Sequence, residues 1–190
     1  MTRLLISIAL VALFGSPGGA AAKAPPHLEW RGTVTTVVDG DTLWVRPASG
    51  AKPVKVRLDG VDAPEICQAY GEASRKALLA KLNRQSVTVY ARQRDSFGRL
   101  LARVRLDRSG TGDVGDWLVR EGHAWSYRYR RDVGPYAAQQ ALAKSARKGL
   151  FADANAQEPR DFRKRHGACI THVHQECYIK NSKLCNKYES

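Results

Sequence analysis

The feature that most constrains the fold is a series of five short segments rich in β-branched residues, each bounded by turn or loop residues. Apolar and polar residues alternate along them, which predicts half-buried β-strands. The Asp39-Gly40 pair between the first two is typical of a tight hairpin turn. The predicted strands are 31–38, 41–46, 54–58, 86–93 and 98–107.

Three further segments, 71–83, 113–124 and 135–149, have helical patterns. Leu78 and Leu82 share one side of the first. Pro135 suits the first turn of the third helix and Gly149 suits its end. A helix between the third and fourth strands predicts an α+β, mainly β fold, namely a five-stranded OB-fold-type barrel with three helices.

The two ends of the chain differ from this body. Residues 1–22 contain Arg3, an eleven-residue apolar run and small residues up to Ala22, the pattern of a secretory signal peptide. The run is too short to span a bilayer comfortably. We therefore expect export, cleavage after Ala22 and no stable membrane anchor. Residues 29–153 form the predicted barrel domain, and residues 159–190 are a short, basic, Cys-containing C-terminal tail.

An even number of cysteines in an exported chain indicates disulfides. The cysteines are Cys67, Cys169, Cys177 and Cys185. Three pairings are open. A bridge from Cys67 to a tail cysteine would tie the C-terminal tail to residues 56–65, which lie just before Cys67. The alternative is a zinc site built from Cys169, Cys177 and the two histidines between them, although this spacing fits no common zinc pattern.

The chain is strongly basic, with 31 Lys and Arg, 18 Asp and Glu, and a net charge of +13. Such a charge favours a polyanionic partner, either nucleic acid or an anionic membrane surface. A merely soluble basic surface is the alternative.

Carboxylates nevertheless crowd together in VRLDGVDAPE, residues 56–65. Asp62 and Glu65 follow the third strand, and Asp41 opens the second. Because neighbouring strands end at one rim of a barrel, we expect these three side chains to meet. Hard oxygen ligands suit Ca²⁺, with Mg²⁺ as the alternative. Asp59 is instead expected to pair with Arg57 on the same strand face, and Asp39 to form the turn.

Two arginines complete a set suited to phosphodiester chemistry. Arg57 precedes the acidic loop and Arg99 follows the DSFG turn. A guanidinium fork matches two phosphate oxygens. A cation and two arginines can stabilise the extra charge of a phosphoryl transition state, while a free carboxylate activates water.

Several longer motifs occur together in one order: VVDGDTLWV, VRLDGVDAPE, YGEAS, DSFGRLLARV and LVREGHAW. From about residue 32 to residue 151 the chain resembles the thermonuclease family, the staphylococcal-nuclease-like domains. The resemblance implies an OB-type barrel and a calcium-dependent nuclease that cuts DNA and RNA and leaves 3′-phosphates.

The resemblance also implies roles for individual residues. Asp41 and Asp62 would be metal ligands, together with the backbone carbonyl of Ala63. Glu65 would be the general base or would orient the water, with a contact to the metal through water. Arg57 and Arg99 would bind phosphate and stabilise the transition state.

Tyr127 and Tyr129 lie where family members contact the substrate, and their alternation places both rings on one face for base stacking. Packing in the core or at the barrel rim is the alternative. We expect the protein to be a monomer. A rival interpretation of the whole chain is a nucleic-acid-binding OB module that has lost catalysis. The presence of all five implied charged residues favours the enzyme.

Overall fold

The computed structural model describes residues 28–107, 112–129, 132–167 and 169. The predicted signal peptide, Cys177 and Cys185 lie outside them. The strands are β1 (Leu28–Val37), β2 (Thr42–Pro47), β3 (Val54–Leu58), β4 (Val61–Asp62), β5 (Ser86–Arg94), β6 (Leu100–Leu106) and β7 (Trp125–Ser126). The five predicted strands are confirmed, with bounds that shift by up to three residues, whereas β4 and β7 were not predicted.

The five longer strands close into a barrel in the order β1-β2-β3-β6-β5. Neighbours are antiparallel except β3 and β6, which pair in parallel and close the barrel. Alternate side chains fill its interior, as period-two patterning requires. Fully buried examples are Val34, Leu43, Val45, Val56, Val89 and Val104. Each such side chain contributes about 1.5–3 kcal/mol through burial, so the barrel is a firm support for the loops at its rim.

The helices are α1 (Gly71–Leu82), α2 (Val114–Arg120), α3 (Ala137–Ser145) and α4 (Pro159–His166). The first three confirm the predicted helical segments in shorter form. The fourth lies in the segment that the sequence indicated only as a tail, so one helix was missed. Its signals are Pro159 at the first turn and Gly167, with φ of 74°, at its end. Among the described residues, no helix combines the length and the apolar character that crossing a membrane requires.

Two strand pairings bring the acidic residues together. Thr42 on β2 pairs with Arg57 on β3, and Leu58 donates to the carbonyl of Asp41 at 2.8 Å. The two-residue strand β4 pairs with β7 and aligns Asp62 with Trp125. The end of β3 and the loop after β4 therefore face the start of β2 at one rim.

Candidate active site

Asp41 is held at the start of β2 by two hydrogen bonds. The backbone amide of Ala63 donates to its Oδ2 at 2.8 Å, and the Thr42 hydroxyl donates to its Oδ1 at 3.1 Å. Only 5% of Asp41 is exposed. Asp41 therefore lies next to the acidic loop, as predicted, and its hydrogen bond with Ala63 holds the two segments together.

Arg57 lies between the two buried aspartates. Its guanidinium contacts Asp41 and donates to Asp62 Oδ1 at 3.1 Å. Burial lowers the pKa of Arg57, although the Asp62 and Asp39 carboxylates oppose this effect. Like charges that would repel one another are thus brought together around one cation.

The prediction that Asp59 pairs with Arg57 is wrong. Asp59 pairs instead with Arg92 on β5, at 3.0 Å. Gly60, with φ of 81°, turns the chain directly after Asp59. Arg57 is consequently left to Asp41 and Asp62 across that turn.

Asp62 and Glu65 share a partner that the sequence did not indicate. Arg163 Nη1 on α4 donates to Asp62 Oδ1 at 3.1 Å and to Glu65 Oε1 at 2.8 Å, and its Nη2 donates to Asp62 Oδ2 at 2.9 Å. The two carboxylates therefore converge on one position. The available signal was the cysteine-containing tail, which suggested a connection to this loop but no residue.

Arg99 enters the same region from the start of β6. Asp95 orients it by accepting from Arg99 Nε at 2.8 Å and from its backbone amide at 2.9 Å. Burial alone would raise the pKa of Asp95. Its hydrogen bonds to Arg99 together have a larger, opposite effect, so the pKa of Asp95 lies below its usual value. The positive charge of Arg99 lowers the pKa of Arg57. Both arginines line the same cleft.

A cleft of about 1210 Å³ connects these groups. The site residues that line it are Asp39, Asp41, Arg57, Ala63, Glu65, Arg99, Tyr127, Tyr129 and Arg163. Tyr127 and Tyr129 are 41% and 62% exposed, so the structure places both rings at the border of the cleft and not in the core. Asp62 is not among the residues that line the cleft, but it contacts Arg57 and Arg163, which do line it.

Asp39 does more than the predicted turn. Its carboxylate accepts from the amide of Asp41 at 2.9 Å, as a turn former should. It also lines the cleft. Burial raises its pKa, while Arg57 opposes the shift. Asp39 is therefore a cleft residue as well as a turn residue.

The acidic residues fit a hard cation by their chemistry. Within the described ranges, no group of three or more His, Cys, Asp or Glu side chains is arranged as a metal cluster. However, oxygens of Asp62 and Glu65 approach one nitrogen of Arg163, and the Asp41 carboxylate is bonded to the amide of Ala63 in the same loop. Carboxylate and carbonyl oxygens around a cation position are what Ca²⁺ prefers.

A disulfide joins the acidic loop to the tail. Cys67 and Cys169 are bonded, with their Cα atoms 5.8 Å apart and a sequence separation of 102. Of the three possible partners of Cys67, the structure shows Cys169. The alternative of a zinc site that includes Cys169 is wrong, because the Cys169 sulfur is in a disulfide and is not a free thiolate.

Comparisons with known proteins agree with this geometry. The family model described as staphylococcal nuclease homologue matches residues 55–153. Protein ParB of Escherichia coli is 35% identical over 149 residues, which cover 74% of this chain and 83% of the relative.

Two further relatives have similar coverage. The micrococcal nuclease of Shigella flexneri is 35% identical over 151 residues, 75% of this chain and 85% of the relative. An uncharacterized endonuclease of Escherichia coli O157:H7 is 34% identical over 134 residues, 70% of this chain and 85% of the relative. With its closed five-stranded barrel, the chain belongs to the staphylococcal nuclease homologue family.

Proposed function

We propose that this protein is an exported, calcium-dependent nuclease that hydrolyses phosphodiester bonds of DNA and RNA and leaves 3′-phosphates. One observation carries the proposal: a single cleft is bordered by Glu65, Arg57 and Arg99, with Asp41 beside them. The names of two relatives, a micrococcal nuclease and an endonuclease, support it.

Glu65 is the residue that would activate water. It lies at the cleft border, and its backbone amide donates to Gln68 Oε1 at 3.1 Å, which fixes the loop. Its carboxylate would accept the proton of a water that attacks phosphorus. The bond from phosphorus to the 5′ oxygen then breaks, and that oxygen takes up a proton from solvent water, giving a 3′-phosphate and a 5′-hydroxyl.

Arg57 and Arg99 would bind the phosphate oxygens. Both lie in the cleft and both are held by carboxylates, Arg57 by two buried aspartates and Arg99 by Asp95. Prearranged guanidinium groups stabilise the charge that grows on the phosphate oxygens as water attacks. Side chains fixed before the reaction need little rearrangement during it.

The residues that would hold Ca²⁺ are Asp41, Asp62, Glu65 and the carbonyl of Ala63, with Mg²⁺ as the alternative ion. When bound, such an ion offsets the repulsion between the carboxylates and polarises a phosphate oxygen. Asp41 and Asp62 are almost fully buried, at 5% and 4% exposure, so they are prearranged and poorly hydrated.

Tyr127 and Tyr129 would contact the substrate. Tyr127 is anchored by its backbone amide, which donates to the Gly60 carbonyl at 2.9 Å. Exposed aromatic rings at a basic cleft offer faces on which bases stack without sequence preference. This arrangement suits a nuclease that accepts both DNA and RNA.

Export follows from the sequence of residues 1–22, with cleavage after Ala22. The Cys67–Cys169 disulfide supports it, because disulfides persist in oxidising compartments. The mature protein would act as a monomer without stable membrane anchoring.

The experiment is cleavage of plasmid DNA and of RNA in Ca²⁺ and in excess chelator, with identification of the product ends. Cutting should require Ca²⁺. Glu65→Gln should cut about 10²–10⁴-fold more slowly while still binding DNA. The matched control is Glu72→Gln, at a half-exposed glutamate on α1 that pairs with Arg75, and it should cut normally.

Each outcome tests a separate part of the proposal. Cutting that persists in chelator would remove the metal from it. An unchanged rate in Glu65→Gln would mean that Glu65 is not the base. A wild-type protein that binds DNA in Ca²⁺ but never cuts it would be the catalytically silent OB module.

A further inference from the structure

Arg163 lies outside the segment that matches the family model, which ends at residue 153. It nevertheless makes three hydrogen bonds to the acidic residues, two to Asp62 and one to Glu65. One-third of its side chain is exposed, at 32%, against 6% for Asp62 and 21% for Glu65. A guanidinium from the C-terminal segment thus covers the two carboxylates.

Helix α4 is attached to the acidic loop independently of Arg163. Gln68, which is 8% exposed, accepts from the Glu65 amide and donates to the Gln157 carbonyl at 2.7 Å, just before the helix. Beyond the helix, Cys169 is bonded to Cys67. Anchors on both sides hold the intervening helix and therefore hold the guanidinium in position.

A third anchor lies at the start of α4. Glu158 forms an ion pair with Arg128, which follows β7, and Pro159 is buried. The helix is therefore a built part of this rim, and the contact of Arg163 with the carboxylates does not depend on a freely moving tail.

The charges fit the position. An arginine side chain is always protonated in proteins. The guanidinium therefore stays charged. Its Nη1 lies within hydrogen-bond distance of one oxygen from each carboxylate, and Asp62 and Glu65 are two of the residues that would hold the proposed metal ion. A divalent ion bound to the same two carboxylates would lie close to this guanidinium, and the two positive charges would repel each other.

We propose that Arg163 is an additional residue of this site, a built-in cation that competes with the divalent metal ion for Asp62 and Glu65. This inference rests on the proposed function, because it concerns the same metal ligands. Metal binding then requires displacement of the guanidinium. The apparent metal affinity is set by the C-terminal segment as well as by the barrel.

The test measures Ca²⁺ binding by calorimetry on the full mature chain, without substrate. The variants are Arg163→Gln and the matched control Arg165→Gln, which removes the same charge from an exposed position on the same helix. Arg163→Gln should bind Ca²⁺ about tenfold more tightly, as expected when a charge-assisted bond no longer competes. Arg165→Gln should stay within about twofold of wild type.

Thermal unfolding supplies a second readout. Without Ca²⁺, Arg163→Gln should melt below wild type because Asp62 and Glu65 lose their shared partner. Its rise in Tm on adding Ca²⁺ should be larger than that of wild type, because a ligand that binds more tightly stabilises more. Circular dichroism checks that the variant is folded, and Arg163→Lys, which keeps a cation without the fork, should fall between the two.

The outcomes separate the two proposals. If wild type and Arg163→Gln bind Ca²⁺ equally, or if the variant binds more weakly, the competition is overturned while the metal site remains. If neither protein binds Ca²⁺, the metal site of the proposed function fails, and the competition fails with it.

Discussion

Arg57 and Arg163 make the same contact in two different settings. Each donates to Asp62 Oδ1 at 3.1 Å. Arg57 belongs to a barrel strand, and its side chain is 14% exposed, whereas Arg163 belongs to the C-terminal helix and is 32% exposed. The first arginine is therefore held by the fold itself, and the second is held by attachments added to the fold.

The difference divides the site into a fixed part and an attached part. Arg57 contacts two buried carboxylates of the barrel rim, so we expect it to be needed for folding as well as for the proposed phosphate binding. Arg163 also bonds to Asp62, and it bonds to Glu65, but it belongs to a helix and not to a barrel strand. We therefore expect that it can be displaced without exposing the barrel core. We expect one arginine to control stability and the other to control access to the carboxylates.

The largest effect should come from Arg57→Met compared with Arg163→Met. Removing a partner from buried charges costs about 3–5 kcal/mol, and Arg57→Met leaves Asp41 and Asp62 without their common cation. Arg163→Met should cost about 1 kcal/mol or less, because its pairs are partly exposed. Urea unfolding of both variants measures the difference, and equal losses would break the comparison.

A smaller effect is expected when the attachment itself is cut. The Cys67→Ser, Cys169→Ser double variant opens a loop with a sequence separation of 102 residues, and such losses are typically about 2–4 kcal/mol. Its Ca²⁺ affinity should shift toward that of Arg163→Gln, because α4 loses one of its anchors. Reduced wild-type protein should behave like the double variant. An affinity unchanged from oxidised wild type would show that Gln68 and Arg128 hold the helix without the bridge.

The smallest effect concerns pH and the barrel body. His123 Nδ1 lies 3.0 Å from the Tyr70 hydroxyl, and burial lowers the pKa of His123 although Glu121 opposes the shift. The unfolded chain therefore binds the proton more readily, so stability should be complete above about pH 6.5 and should decrease as the pH falls below it. Unfolding free energies of wild type and His123→Gln, measured across this range, should converge at low pH.

The same pH series sharpens the comparison between the two arginines. The unfolding free energy of Arg163→Met should fall with decreasing pH by the same amount as that of wild type. The reason is that the ring contacts of His123 are with Tyr70 and Trp117, which do not belong to α4. A changed pH dependence in that variant would mean that the attached part reaches into the barrel body.

The sequence was most informative where structure depends on neighbouring residues. Alternating β-branched segments predicted the five barrel strands, and the positions of Asp41 and Asp62 at strand ends predicted their proximity. Both follow from period-two patterning and short connections. The turn at Asp39 was predicted from the Asp39-Gly40 pair, which is also a local signal.

The features that were missed depend on contacts between distant parts of the chain. Arg163 reaches Asp62 and Glu65 across about 100 residues, a docking that no local pattern encodes. Asp59 was assigned to Arg57 from strand spacing, but the turn at Gly60 gives it to Arg92. Helix α4 is a different case, because its Pro and Gly boundary signals were present but were outweighed by the polar composition of the tail.

The bridge between Cys67 and Cys169 has a topological consequence. It closes a covalent ring that includes β5, β6, α2, α3 and α4. A protease that cuts one peptide bond within the ring produces a nicked protein and not two fragments. The pieces stay joined until the sulfurs are reduced, so such a molecule can survive a single nick with its carboxylate loop and its C-terminal helix still connected.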